Sequence, residues 1–195
     1  MGRFVLSDAA PLICLAQVDG LSWLRTLFGH VHITQQVRDE VLTGLGKPGE
    51  NALKQAIERR LLRVHPEWDW PEPQLPALGE GEASCIRAAM NLLKRGHDCL
   101  LLIDDREARR AASSFTITVT GTAAIVGAAK QVGLIASART IFDQLRLSCF
   151  RISEEIIRGI LESAGEVEPG AKPVHETKRR RGQKRSRRGR SKNPM

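Results

Sequence analysis

Short apolar runs alternate with longer segments of helical periodicity over the first 165 residues of the chain. The short runs are typical of buried strands, and the longer segments repeat their apolar residues at the spacing of an amphipathic helix. The predicted strands are 3–6, 31–33, 61–65, 99–103 and 117–120. The predicted helices are 11–17, 21–28, a stretch over 37–42, 53–60, 80–95, 106–113, 122–132, 136–147 and 154–164. Strands separated by helices predict an α/β fold with an open parallel sheet of about five strands, covered by helices on both faces.

The apolar pattern ends near residue 165, and the chain beyond it is strongly basic. Residues 171–195 contain 11 of the 30 Lys and Arg residues and one acidic residue, a net charge of +10. The other 170 residues contain 19 basic and 21 acidic residues, a net charge of −2. A tail of this composition cannot bury enough apolar surface to fold alone. We therefore predict a folded domain over 1–165 and a disordered Lys/Arg-rich tail over 166–195, which favours an anionic polymer as partner.

Nothing in the sequence marks the chain for secretion or for a membrane. The apolar run ahead of Ser7 is far shorter than a signal peptide, and no apolar stretch approaches the roughly 18 residues of a membrane span. The four cysteines are widely separated and form no Cys-x-x-Cys pair, and their apolar neighbours predict buried, reduced thiols. We expect a soluble cytoplasmic protein.

Acidic residues follow two of the predicted strands, at the edge where open parallel sheets bind ligands. Asp8 follows the first strand, and Asp104 and Asp105 follow the fourth. Glu40 and Glu82 lie on predicted helices. Like charges gathered in one cleft repel each other unless a cation neutralises them, and hard carboxylate oxygens suit Mg²⁺ or Mn²⁺.

Each of these carboxylates also has an ordinary structural explanation. Asp8 could serve only as a helix N-cap. Glu40 follows Asp39, and either residue could face inward. Glu82 could complement the helix dipole, as we expect of Glu80. The adjacent pair after the fourth strand is the hardest to explain in this way, because two charges at a buried strand end cost desolvation energy.

The motifs in this order resemble the PIN-domain nucleases, particularly VapC-like toxins and their relatives. The matching segments are 5–8 with 11–13, 33–34 with 37–41, 78–83, 102–109, and 119–122 with Lys130 and 133–135. The resemblance implies a ribonuclease dependent on Mg²⁺ or Mn²⁺. It also implies the toxin half of a toxin–antitoxin pair, with RNA, a cognate antitoxin and a second copy of the chain as partners.

The resemblance also implies roles for individual residues. The catalytic residues would be Asp8, Glu40, Glu82 and Asp105. The metal ligands would be Asp8, Glu82, Asp105 and Asp104, the last as ligand or as support for the ligands. RNA would be bound by Arg106, Arg109, Lys130, Lys178, Arg179, Arg180, Arg181, Arg187 and Arg188. A solvated helix position explains Arg106 and Arg109 equally well, and it explains Lys130 better than a phosphate contact does.

The sequence departs from the family pattern at the two positions after the first aspartate. These positions are usually hydroxylic in the family and are Ala9 and Ala10 here, which removes a hydroxyl that could orient Asp8. A non-catalytic RNA-binding or adaptor protein on the same scaffold remains an alternative. A phosphatase-like hydrolase of small molecules is disfavoured, because an aspartyl nucleophile would need a hydroxylic or acidic residue soon after it.

Overall fold

The computed structural model describes residues 3–65, 75, 77–148 and 152–166. Five strands form one sheet in which all neighbouring strands run parallel. The strands are β1 (Phe4–Ser7), β2 (Val31–Ile33), β3 (Leu62–Val64), β4 (Cys99–Leu102) and β5 (Thr118–Thr120). Their order across the sheet is β3-β2-β1-β4-β5. The predicted fold class, an open parallel α/β sheet of five strands, is confirmed.

Helices connect the strands and extend the domain after the last one. In the described residues they are α1 (Ala9–Gln17), α2 (Trp23–Phe28), α3 (Gln35–Val41), α4 (Glu50–Glu58), α5 (Glu80–Lys94), α6 (Arg106–Ser114), α7 (Thr122–Gln131), α8 (Ala138–Leu147) and α9 (Glu154–Ser163). Most ends fall within two residues of the prediction. Helix α4 begins three residues earlier than predicted, because Gly49 is its N-cap at a positive φ of 86°.

The strand order reverses between β1 and β4, and this is where ligands bind in open α/β sheets. The register pairs Ser7 with Leu102, so that both strands end at the same level. The backbone N–H of Asp8 donates to the carbonyl oxygen of Leu102 at 2.9 Å. The chain after β1 and the chain after β4 therefore leave the sheet side by side.

The strands that carry these ends are buried on both faces. Leu6, Leu101, Leu102 and Ile103 are fully buried, as expected for the inner strands of a parallel sheet. Burying a large aliphatic side chain contributes about 1.5–3 kcal/mol. The core thus fixes the edge of the sheet from which Asp8 projects.

The last described residue, Glu166, belongs to the folded domain, although we predicted that the tail begins there. Its carboxylate accepts hydrogen bonds from the Ser137 hydroxyl at 2.9 Å and from the backbone N–H groups of Ala138 and Arg139 at 2.5 and 3.1 Å. These N–H groups open α8 and have no partner within the helix. None of the helices in the described ranges is long and apolar enough to cross a membrane.

Candidate active site

The five acidic residues predicted from the sequence divide into two groups. The negative charges of Glu40 and Glu82 raise the pKa of Asp8, and those of Asp105 and Glu40 raise the pKa of Glu82. Asp104 instead bonds to the first residue of α7. The first group is called the carboxylate cluster below and consists of Asp8, Glu40, Glu82 and Asp105.

Asp8 is the buried member of the carboxylate cluster. It is the N-cap of α1, where its Oδ2 accepts a hydrogen bond from the Ala10 N–H at 3.4 Å, and it is 4% exposed. Burial, together with the negative charges of Glu40 and Glu82, raises its pKa to about 6, against hydrogen bonds from Ala9 and Ala10 that lower it. Asp8 therefore carries its charge at a cost that a nearby cation would remove.

Glu40 approaches Asp8 from the last turn of α3, across the backbone of Gly81. A methyl carbon at Gly81 would lie 2.6 Å from Oε2 of Glu40 and 3.2 Å from Oδ1 of Asp8. Two carboxylate oxygens from different helices thus border one small space, which is open because residue 81 has no side chain. Asp39 lies on the exposed surface and accepts hydrogen bonds from Gln35 and Arg38. Of the two neighbours, Glu40 is the one that faces the carboxylate cluster.

Glu82 joins the carboxylate cluster from the first turn of α5. Its Oε2 accepts a hydrogen bond from the Gly79 N–H at 3.0 Å, so that it also caps the helix. Burial raises its pKa, and the charges of Asp105, Glu40 and Glu107 raise it further. Glu82 therefore caps α5 and also lies among the acidic residues of the carboxylate cluster. Glu80, the first residue of α5, is exposed.

Asp105 lies at the exposed margin of the carboxylate cluster. It is the N-cap of α6, and its Oδ1 accepts a hydrogen bond from the Ala108 N–H at 2.8 Å. The charge of Asp105 raises the pKa of Glu82, so the two carboxylates are neighbours. Because Asp105 is exposed, it lies on the solvent side of the carboxylate cluster.

Asp104 uses both of its carboxylate oxygens on one residue, Thr122. Its Oδ1 accepts from the Thr122 N–H at 2.8 Å, and its Oδ2 accepts from the Thr122 hydroxyl at 2.6 Å. Burial raises the pKa of Asp104, whereas these bonds and the positive charge of Arg109 lower it. Among the two alternatives for Asp104, ligand or support, this placement favours support.

Hydroxyl and thiol groups behind the carboxylate cluster were not predicted from the sequence. The hydroxyls of Thr34 and Ser84 lie 2.7 Å apart, and the Ser84 hydroxyl donates to the Gly81 carbonyl at 2.7 Å. The Cys85 thiol donates to the Ser7 carbonyl at 3.4 Å. The Thr34–Ser84 contact joins α5 to the start of α3, and the Cys85 contact joins α5 to the end of β1. Single small polar residues inside a helix carry no motif, so only the fold reveals them.

The predicted RNA-binding residues are not all brought to this site. A Cβ at Gly121 would lie 3.2 Å from the guanidinium of Arg109, so Arg109 lies near Asp104, and Arg106 is exposed at the start of α6. Lys130 lies two turns along α7 from the end that meets Asp104. There its ammonium donates to the Ala136 carbonyl at 2.7 Å and lies 3.8 Å from Glu166. The remaining predicted residues lie outside the described ranges; they are Lys178, Arg179, Arg180, Arg181, Arg187 and Arg188.

The carboxylate cluster fits a divalent metal ion by the chemistry of its donors. Its oxygens are the hard ligands that Mg²⁺ and Mn²⁺ prefer, and two of them border the space beside Gly81. As the side chains are placed, no three His, Cys, Asp or Glu residues within the described ranges form a group that could hold a metal ion. Mutual repulsion keeps carboxylates apart when no cation lies between them, and a bound divalent ion would remove that repulsion.

Comparison with known proteins agrees with the fold. A family model described as PIN domain matches residues 4–166, which is most of the described domain. None of the curated proteins matches the chain. PIN domains are generally nucleases, which suggests a hydrolase. This match and the five-stranded parallel sheet together show that the chain belongs to the PIN-domain family.

Proposed function

We propose that this domain is a metal-dependent endoribonuclease that hydrolyses RNA phosphodiesters with Mg²⁺ or Mn²⁺. The observation that carries the proposal is the placement of Asp8. This carboxylate is buried at the point where the strand order reverses, and the Glu40 carboxylate borders the same space beside Gly81. A fold needs no such arrangement for stability, because a buried negative charge with further carboxylates near it opposes folding.

The side chains that would hold the metal are Asp8, Glu40 and Glu82, with Asp105 at the exposed margin. A divalent ion bound there would supply an activated water and would stabilise the negative charge that develops on the phosphate. The chain itself supplies the orientation. Asp8 and Glu82 are each fixed by a backbone N–H at a helix N-terminus, and Glu40 is carried by a helix that packs against α5.

The arginines of α6, the helix that Asp105 caps, suit a polyanionic substrate. RNA would be repelled by carboxylates alone, so cations near them are needed to bring a phosphate close. Arg109 lies next to Asp104, and Arg106 is exposed on the same helix. These guanidinium groups can bind phosphate oxygens through paired N–H donors.

The test is Mn²⁺ binding and RNA cleavage by the purified chain. We expect Mn²⁺ to bind in the absence of RNA, as measured by isothermal titration calorimetry, and a single-stranded RNA to be cleaved internally. Asp8→Asn should lose both properties, and the exposed neighbour variant Asp39→Asn should keep both. A wild-type chain that binds RNA but neither binds Mn²⁺ nor cleaves would instead be the RNA-binding or adaptor protein.

We extend the proposal to the toxin half of a toxin–antitoxin pair, on the order of the sequence motifs alone. A ribonuclease toxin should arrest growth when it is expressed alone, and a small neighbouring gene for a DNA-binding protein should relieve the arrest. Asp8→Asn should not arrest growth. Unimpaired growth on strong expression of an active nuclease would remove the toxin role while leaving the ribonuclease in place.

A further inference from the structure

Adjacent aspartates at the end of β4 fix the beginnings of two different helices. Asp105 caps α6 through the Ala108 N–H, whereas Asp104 reaches across to the start of α7. The N-cap residue of α7 is Gly121, which has no side chain with which to cap. Asp104 therefore supplies from another element the acceptor that the first N–H of α7 would otherwise lack.

Arg109 lies on the other side of the same glycine. A Cβ at Gly121 would lie 2.6 Å from Oδ1 of Asp104 and 3.2 Å from the Arg109 guanidinium. The missing side chain at 121 is thus what allows the carboxylate and the guanidinium to approach each other. Arg109 is half-buried, and the positive charge of its guanidinium acts on the Asp104 carboxylate.

We infer that Asp104 is a positioning residue and not a metal ligand. It holds the start of α7 and the Arg109 guanidinium at the end of β4, next in sequence to Asp105 of the carboxylate cluster, and Arg109 binds an RNA phosphate there. Both oxygens of Asp104 already accept hydrogen bonds from Thr122, and these bonds hold the carboxylate at the start of α7, whereas the space beside Gly81 is bordered by Asp8 and Glu40. A guanidinium has five N–H donors, so Arg109 can face Asp104 and a phosphate together. The inference rests on the proposed function, because the phosphate is that of the RNA substrate.

Asparagine at position 104 separates the two roles. The amide oxygen of Asp104→Asn can accept from the Thr122 N–H, and its NH₂ group can donate to the Thr122 hydroxyl oxygen. The hydrogen bonds are kept while the negative charge is lost. A positioning residue tolerates this change, and a metal ligand does not. Asp104→Ala removes both hydrogen bonds. Thr122→Val removes only the bond from the hydroxyl, and it takes the place of Asp104→Ala in the experiment if that variant does not fold.

The experiment measures the binding of a fluorescent single-stranded RNA in the presence of a chelator, and Mn²⁺ binding without RNA. We expect Asp104→Ala and Arg109→Gln each to weaken RNA binding by about tenfold, and the double variant to weaken it no further. Thr122→Val should show a smaller loss. Asp104→Asn should restore RNA affinity to within about threefold of the wild type, and Arg110→Gln, at the exposed neighbouring arginine, should change little. The salt dependence of binding should become shallower by about one unit in Arg109→Gln.

Mn²⁺ affinity decides the ligand question. We expect Asp104→Asn to bind Mn²⁺ within about threefold of the wild type, whereas Asp8→Asn loses more than about tenfold. An equal loss in both variants would overturn the inference, and so would unchanged RNA affinity in Asp104→Ala or in Thr122→Val. The RNA-binding arm contains a chelator and needs no cleavage. A chain that shows the Asp104–Arg109 coupling but never cleaves RNA would therefore refute the nuclease and retain the positioning role.

Discussion

Three carboxylates of the carboxylate cluster cap helices in addition to placing negative charge at the site. Asp8, Glu82 and Asp105 each accept a hydrogen bond from a backbone N–H in the first turn of a helix. In Asp8 the capping oxygen is Oδ2, and the other oxygen is the one that borders the space beside Gly81. Capping therefore fixes the orientation of the side chain without using up its capacity to bind a cation.

Asp8→Asn should stabilise the metal-free protein, in a manner that depends on pH. Because the folded-state pKa of Asp8 is raised to about 6 from 3.8, ionisation of this carboxyl opposes folding. The penalty is absent below the unfolded-state pKa, grows as the pH rises toward 6 and is complete above it. We expect a gain of up to about 3 kcal/mol in the free energy of unfolding at pH 8, and little change at pH 4. Urea denaturation in the presence of a chelator measures both values.

The matched control for Asp8→Asn is Asp39→Asn, which alters an exposed carboxylate of α3. Its free energy of unfolding should follow that of the wild type at both pH values. If Asp8→Asn destabilised the metal-free protein at pH 8, capping by the carboxylate would outweigh the repulsion, and the argument for a cation beside Asp8 would lose its basis.

Glu82→Gln should separate the two roles of this side chain. Glutamine retains an oxygen that can accept from the Gly79 N–H, so the free energy of unfolding should change by less than about 1 kcal/mol. The charge is lost, and metal-dependent cleavage should fall by more than about 100-fold. Glu80→Gln, two residues earlier on the exposed side of α5, is the control and should keep most of the activity. Similar losses of cleavage in both variants would mean that cleavage depends on the total negative charge at the start of α5 and not on the position of the Glu82 carboxylate.

At the scale of the elements, periodicity located the strands and helices but could not order the strands. The run 99–103 is apolar enough to be recognised as a buried strand from its sequence. That β4 lies beside β1 depends on pairing across more than 90 residues, which no local pattern encodes. The same holds for the site. Asp104 and Asp105 are neighbours in sequence. Asp104 differs from Asp105 through its hydrogen bond with Thr122, which lies 18 residues further along the chain.

Gly81→Ala tests the space at the start of α5. The added methyl group would lie 2.6 Å from Oε2 of Glu40 and 3.2 Å from Oδ1 of Asp8, so these side chains would have to move apart. Alanine favours a helix over glycine by up to about 1 kcal/mol, so the fold should tolerate the change. We expect Mn²⁺ affinity and cleavage each to fall by more than about tenfold, while the thermal midpoint changes little.

Gly159→Ala is the control for this substitution, because it adds a methyl group to α9 with nothing within 4 Å of it. It should leave Mn²⁺ affinity and cleavage unchanged and should stabilise the protein slightly. Wild-type Mn²⁺ affinity in Gly81→Ala would show that the cation does not bind between Asp8 and Glu40.

At the scale of the whole molecule, we predict that the chain forms a homodimer. Leu147 and Ile156 are 89% and 51% exposed on α8 and α9, and exposed large apolar side chains favour association. Leu147→Asp should shift the chain toward monomer in sedimentation velocity, whereas Leu45→Asp, at another exposed leucine, should not. A wild-type chain that sediments at its monomer mass of 21.5 kDa at all concentrations would refute the prediction.

The basic C-terminal tail gives the molecule a charge distribution that its folded domain lacks. Residues 171–195 carry a net charge of +10, and the rest of the chain carries −2. If the tail is a coil, as its composition predicts, its 25 residues span roughly 25–30 Å root-mean-square, which is comparable with the radius of the domain. The tail could therefore recruit RNA to the domain, or its arginines could lie across the carboxylate cluster and inhibit it.

Deleting residues 171–195 distinguishes recruitment from inhibition, and we expect recruitment. Arginines interrupted by Gly and Ser rarely hold one geometry, and ordering them over the carboxylate cluster would cost conformational entropy. Recruitment works through release of counterions from the RNA and needs no fixed geometry. The truncated chain should bind RNA more weakly and with a shallower salt dependence, while its cleavage rate at saturating RNA stays near that of the full chain. A full-length control with glutamine at every Lys and Arg of the tail should behave like the truncation. Faster cleavage at saturating RNA in both variants would instead identify the tail as an inhibitor of the carboxylate cluster.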